Sequence, residues 1–361
     1  MTSNRPRHAR YLRSGATSLC RSLIRRRIRR FALVASPPSC NESRHRQNRR
    51  GPFSAVISTG LTAAALTSTT GKIDGWFNGF IPGREGYDSN VTLDSVEIMD
   101  CSGYGFDPHE QTVNMVIKNS VAHGNGLDGF VADFLSNSSF ENNIAYNNDR
   151  HGFNVVTSTH DFTMTNNIAY DNGANGIVVQ RGSEDIPSPS NITITGGEVY
   201  GNGGEGVLIK LSSYVTVSGV DIHDNGSAGI RIYGSTHVEV TDNTLNNNSL
   251  GNPVPEIIIQ SYNDTAGVSG KYFNGSDNLI QGNIISGSDL STYGVAERNE
   301  DGTDRNAIIA NTISHTSKGA TLVYGDGSYV SATVPMIVNA RRKAMACMVF
   351  TRFETVRGRY A

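Results

Sequence analysis

A glycine followed by an apolar residue recurs along the middle of the chain, at Gly105-Phe106, Gly129-Phe130, Gly152-Phe153, Gly176-Ile177, Gly206-Val207 and Gly229-Ile230. The successive spacings are 24, 23, 24, 30 and 23 residues. Three of the repeats are nearly the same sentence: NSVAHGNGLDGFVAD, NNIAYNNDRHGFNVV and NNIAYDNGANGIVVQ. A period of this size confines the chain to a solenoid. One repeat cannot bury its own apolar face, so each must stack on the next. The long step holds GSEDIPSPSN (182–191), which reads as a loop inserted into one coil.

Leucine-rich repeats share the period, but their leucine pattern is missing. Short β-branched runs between Asn- and Gly-rich turns indicate an all-β solenoid, a parallel β-helix, with like residues in ladders. The residue after each glycine points inward, so Phe106, Phe130, Phe153, Ile177, Val207 and Ile230 form an internal stack. Each contributes roughly 1.5–3 kcal/mol on burial. Strand alternation then turns the second and fourth positions outward: Asp107 and His109, Val131 and Asp133, Asn154 and Val156, Val178 and Gln180, Leu208 and Lys210, Arg231 and Tyr233. A long strip with polar groups in every coil is what a linear polysaccharide would need. Lys210 and Arg231 on that strip either grip distant acidic sugars or are solvated charges. Pairs such as Asn142-Asn143 and Asn166-Asn167 read as structural turn ladders rather than ligand sites.

Charge divides the chain into parts. Residues 1–53 carry 14 Arg and one acid, Glu42. Residues 341–361 carry six Lys or Arg and one acid, Glu354, so the body between holds 11 basic and 31 acidic residues. Such a body is not a nucleic-acid binder; it would take a polyanion through a few placed cations or a divalent metal. The expected organisation is an unrelated basic N-terminal leader (1–53), a junction (54–71), the solenoid (72–335) and a basic tail (336–361). The leader reads as a targeting segment, a nucleic-acid arm or a foreign translated stretch. The 39 Gly follow no three-residue period, which excludes collagen. No apolar run is long enough to span a membrane. Cys20, Cys40, Cys101 and Cys347 suggest neither a disulfide framework nor a metal motif.

One segment breaks the repeat. YGFDPHE (104–110) offers Tyr104, Asp107, His109 and Glu110 where other coils are apolar or small, and Pro108 sits where an inward strand residue belongs. Two coils on, Arg150 and His151 precede Gly152, with Asp133 between. Coils rise about 4.8 Å each, so long side chains two coils apart can converge. Tyr and His exchange protons, and Arg neutralises a carboxylate through its fork. Neutralising a uronate carboxylate acidifies the neighbouring C5 proton. Return of that proton to the opposite face is epimerisation; loss of the C4 substituent is β-elimination. The residues alone do not separate the two.

Several stretches resemble the catalytic module of bacterial calcium-dependent mannuronan C5-epimerases. They are IDGWFNGFIPG (73–83), SGYGFDPHEQTVN (102–114), AHGNGLDGFVADF (122–134), NDRHGFNVVTSTHDFTMTNN (148–167), VVQRGSEDIPSPSN (178–191), EGVLIK (205–210) and STYGVAERNEDGTD (291–304). The resemblance implies a right-handed parallel β-helix that converts β-D-mannuronate to α-L-guluronate within alginate. It implies Tyr104 and His109 as the acid–base pair, Asp107 beside them, Arg150 at the substrate carboxylate and Lys72 as a further catalytic residue. His151, Asp74, Asp133 and Asn154 are expected substrate contacts. The resemblance also implies Ca2+, with ligands unknown, alginate as partner, no membrane or nucleic-acid partner, a monomer, and secretion. An alginate lyase on the same scaffold and a truncated, inactive alginate-binding homologue are the alternatives.

Overall fold

The computed structural model describes residues 29–34, 66–74, 89–108, 112–182, 186–263 and 272–335, and for the first two segments only the main chain. All regular elements among the described residues are β-strands. A coil holds three short ones, for example Ser136–Glu141, Ile144–Tyr146 and Phe153–Val156. Each pairs in parallel with its equivalent in the next coil. On the third ladder Phe153 lies beside Ile177, then Val207, Ile230 and Ile257. This is the register that the glycine alignment demanded. The third ladder has eight strands, from Phe130–Asp133 to Gly319–Leu322. A bridge between Phe106 and Phe130 carries it one coil further. The first two ladders share the nine-residue strand Val91–Met99, which pairs with both Val116–Lys118 and Val121–His123. Leu66–Asp74 pairs beneath it, and Arg29–Val34, from the basic leader, pairs with Leu66–Asp74 in turn. The rest of the leader and the tail beyond Pro335 lie outside the described residues.

The internal stack is as expected. Phe106, Phe130 and Phe153 are buried, with ring centroids 4.5 and 4.9 Å apart and planes within 6° and 12°. The column continues through Ile177, Val207 and Ile230. The glycine before each of these residues has a steric cause. A Cβ on Gly129 would meet the Gly152 carbonyl oxygen at 2.8 Å, and one on Gly152 would meet that of Gly176 at 2.7 Å. Backbone crosses backbone at this corner, so a side chain has no room.

Turn chemistry explains the Asn content. Asp100, Asn147, Asp171, Asp224 and Asn247 have φ between 51° and 56°, and Gly124 and Gly201 fill the same column at 65° and 64°. Only Gly, Asn and Asp enter this left-handed region cheaply. The next residue points inward and builds a ladder. Asn125, Asn148, Asn172, Asn202 and Asn225 each donate Nδ2 to the Oδ1 of the following Asn at 2.8 or 2.9 Å. Asn248 ends the row by donating to the buried Glu256 at 2.8 Å. Asn143 and Asn167 start a second ladder at the neighbouring corner.

Outside the second ladder runs a column that the sequence reading did not single out. His123, Tyr146, Tyr170, Tyr200 and His223 stack with centroids 4.6, 4.9, 5.0 and 5.0 Å apart and planes within 6°.

Candidate active site

The residue ahead of each repeat glycine marks the corner between the second and third ladders. Tyr104, Asp128, His151, Asn175 and Glu205 hold this position in successive coils. Main-chain N–H groups at the corner turn toward the coil below, and the column's side chains accept them. His151 N–H donates to Asp128 Oδ1 at 3.1 Å, Asn175 N–H to His151 Nδ1 at 3.2 Å, and Glu205 N–H to Asn175 Oδ1 at 2.8 Å.

Asp128 is fully buried and holds Arg150 in a fork. Arg150 Nε donates to Oδ1 and Nη2 to Oδ2, both at 2.6 Å. Asn154 Nδ2 also donates to Oδ2, at 2.8 Å. So held, Arg150 reaches across two coils to Tyr104. Its Nη2 lies 3.4 Å from the Tyr104 hydroxyl, and its guanidinium carbon lies 5.4 Å from the ring centroid. The carboxylate fork raises the Arg150 pKa above its ordinary value, against the opposing effect of burial. Its charge is therefore permanent, and its outer edge is open to solvent. The convergence of residues two coils apart, expected from the coil rise, is observed.

His151 is half-buried. Because Nδ1 accepts the Asn175 N–H, the neutral ring carries its proton on Nε2. Burial pushes the imidazole below its usual pKa; the Arg150 cation adds to this, while Asp128 and Glu205 oppose it. His151 is thus held as a neutral donor.

Further along the third ladder the outer face turns cationic and aromatic. Lys210 Nζ lies 5.0 Å from the Tyr262 ring centroid and 6.0 Å from that of Tyr233. Arg181 lies over Phe273 at 4.8 Å. Tyr262–Asn263 and Tyr272–Phe273 form a small antiparallel pair beside them. Arg231 is ion-paired with Glu205, its Nε 3.0 Å from Oε1 without hydrogen-bond geometry. Neither Lys210 nor Arg231 is a freely solvated charge.

The other expected residues divide. Asp107 is buried, 1% exposed, directly after Phe106. Asp133 ends the strand Phe130–Asp133, level with Val156 of the next coil. His109 and Glu110 lie outside the described residues. Lys72 and Asp74 are placed by main chain alone, level with Glu97 and Met99. Asn154 faces outward but not into open solvent: it is buried, its Nδ2 on Asp128 and its Oδ1 accepting from Gln180 at 3.2 Å. Val131 and Val178, also expected to face outward, are likewise buried, so the strip is not an open, solvent-facing surface throughout. Asp128 and Glu205 were missed. Their signal was available in the sequence, since both precede a repeat glycine as Tyr104 and His151 do, but that position was not aligned from coil to coil.

Among the described residues, Glu198, Asp221 and His223 form one group whose potential ligand atoms all lie within 4.8 Å of one another. His223 already shares its Nε2 with Glu198 at 3.0 Å and its Nδ1 with Asp224 at 2.7 Å. Two carboxylates and an imidazole do not suit calcium, which takes about six to eight oxygen ligands.

Comparison with known proteins places these features. The right-handed β-helix family matches residues 85–187 and 186–339. The solved A-module of mannuronan C-5 epimerase AlgE6 from Azotobacter vinelandii superimposes with a TM-score of 0.69 at 54% identity, covering 76% of this chain and 73% of that one. Mannuronan C5-epimerase AlgE2 of the same organism is 57% identical over 264 residues, which are 73% of this chain and 26% of the relative. Alginate lyase 7, also from Azotobacter vinelandii, is 53% identical over 264 residues, 73% of this chain and 31% of the relative. The chain therefore spans less than a third of either full-length relative.

Proposed function

The chain belongs to the right-handed β-helix proteins and, within them, to the mannuronan C5-epimerase A-modules, and from that membership we propose that it epimerises β-D-mannuronate to α-L-guluronate within alginate. The observation that carries the reading is the Asp128-held Arg150 guanidinium set 3.4 Å from the Tyr104 hydroxyl, with the Arg150 side chain 37% exposed. Arg150 offers its outer edge to a uronate carboxylate and neutralises it. The C5 proton of that sugar becomes more acidic, because the carbanion formed on its loss delocalises into the neutralised carboxyl group. Tyr104 stands on one side as a proton-transfer group, and the resemblance assigns His109 to the other. Proton removal on one face and return on the opposite face invert C5 and leave the glycosidic bond intact.

Calcium enters this reading from the family resemblance alone. The Glu198–Asp221–His223 group does not suit it. Alginate lyase remains the second reading, supported by the lyase relative; it would share the first proton transfer and then expel the C4 oxygen.

The test is proton NMR of poly-mannuronate incubated with the full chain in deuterated water, with and without calcium. Epimerisation gives guluronate signals with deuterium at C5, and Tyr104→Phe lowers the rate by about 10²–10⁴-fold. Signals of a C4–C5 unsaturated uronate would mean a lyase. Unchanged mannuronate from folded, calcium-supplied protein would remove both.

A further inference from the structure

Within the epimerase reading, we propose that Asp128 is a positioning residue for the reaction: a buried carboxylate whose task is to aim the Arg150 fork at the substrate carboxylate beside Tyr104. The argument comes from the protein's own repeats. In three successive coils the side chain at this corner receives a main-chain N–H from the next coil. Asn175 does so as a neutral amide, at 2.8 Å. Ala228 holds the same position with no acceptor at all and is fully buried. The fold therefore does not require a charge there. Burying a carboxylate is costly unless donors surround it. Asp128 is fully buried and receives four: two from Arg150, one from the His151 main chain and one from Asn154.

The geometry says what the charge does. A guanidinium held at Nε and Nη2 by one carboxylate has no freedom to rotate about its long axis. The same Nη2 lies 3.4 Å from the Tyr104 hydroxyl, so the end of the fork away from Asp128 is set beside that phenol. Arg150 is 37% exposed along its side chain, so without the fork it would sample solvent. Asp128 also receives the His151 main-chain N–H, which ties the ring-bearing residue to the same anchor. It touches neither substrate nor reacting atoms in this arrangement and acts through Arg150.

Asp128→Asn tests the idea with little change in shape, since an Asn already serves the equivalent corner at 175. The amide keeps an acceptor for His151 but turns an N–H donor against Arg150. Initial rates of guluronate formation from poly-mannuronate, read by NMR on full-length protein with matched thermal midpoints, should show kcat lowered about 100-fold. The loss should need Arg150: adding Asp128→Asn to Arg150→Ala should cost no more than about two-fold further, as partners in one unit are non-additive. Arg150→Lys, which keeps the charge but loses the fork, should resemble Asp128→Asn, and this arm stands even where the buried substitution prevents folding. A folded Asp128→Asn protein with near wild-type kcat overturns the proposal. So does an equal loss in the Arg150→Ala background, or a fully active Arg150→Lys protein. If wild-type protein forms no guluronate, the epimerase reading falls first and takes this proposal with it. An active wild type with an insensitive Asp128→Asn removes the proposal alone.

Discussion

His151 shows how much a single hydrogen bond can settle. Its Nδ1 accepts the Asn175 N–H at 3.2 Å, so protonating the ring would set a donor against a donor. Burial acts in the same direction and depresses its pKa. A histidine with a depressed folded pKa contributes stability that is present above its unfolded value, about 6.5, and is lost as pH falls below that toward the folded value. In that window the unfolded chain binds the proton and the folded one does not. His223 titrates the other way: burial lowers it, but the carboxylates of Glu198 and Asp224 outweigh burial and raise it. Its contribution is lost as pH rises through the folded value. The two must therefore be separated by substitution. Comparing unfolding midpoints from pH 8 to pH 5, His151→Asn should lose less stability on acidification than wild type. An unchanged pH slope would mean that His151 is not held neutral. At this scale the sequence was only partly legible. Tyr104 and Arg150 stood out because they break the repeat or precede it as a charged pair. Asp128 did not, because an aspartate before glycine in GLDGF reads as an ordinary turn. Only stacking shows that Arg150, 22 residues on, closes over it.

The corner turns illustrate why Asn can mean two things one residue apart. Asn147 sits at φ 51° on the outside, where Gly124 and Gly201 serve equally in their coils. Asn148 is buried, and its neighbour Asn172 receives both its main-chain N–H, at 3.1 Å, and its Nδ2, at 2.9 Å. Asn172 in turn donates to Asn202 at 2.9 Å and to the Ala145 carbonyl at 3.1 Å. Asn172→Ala therefore strips partners from buried polar groups on both sides. Leaving a buried group unsatisfied costs about 1–3 kcal/mol, so a loss above about 2 kcal/mol is expected from urea unfolding. Asn147→Gly keeps the left-handed turn and should stay within about 0.5 kcal/mol of wild type. Similar losses for the two would contradict the division into outer turn and inner ladder. The ladders were legible because a turn residue followed by an inward Asn repeats with the coil. The glycine before each inward residue was legible as a marker, though not its cause, the approach of the next coil's carbonyl. The aromatic column from His123 to His223 passed unnoticed although IAY stands twice in the quoted repeats. Aromatic residues three positions before the glycine-rich corner declare themselves only once the register is stacked.

Across the whole molecule, the solenoid turns sequence distance into distance along one axis. The coil of Gly105 carries Tyr104, and the coil of Gly206 carries Lys210, four coils on. At about 4.8 Å per coil, the two are separated by about 19 Å along the axis. The period made this spacing legible, but not the character of the far end. There, Lys210 lies against Tyr262 and Tyr233, and Tyr262 belongs to an insertion outside the repeat. On the proposed epimerase reading, a polyuronate lying along the outer face of the third ladder with one sugar at Tyr104 reaches Lys210 only if it is long enough. An ammonium that far from the chemistry binds substrate and transition state alike, so its loss raises KM and leaves kcat unchanged. Lys210→Ala should thus raise KM for long poly-mannuronate a few-fold, an effect that shrinks with added salt because the contact is partly exposed. For oligomers too short to span about 19 Å from the reacting sugar, wild type and Lys210→Ala should have the same KM. Steady-state kinetics over a length series would check this. An equal KM penalty for short and long substrates would mean that the sugar chain does not run along the coil axis, and a change confined to kcat would place Lys210 at the chemistry itself.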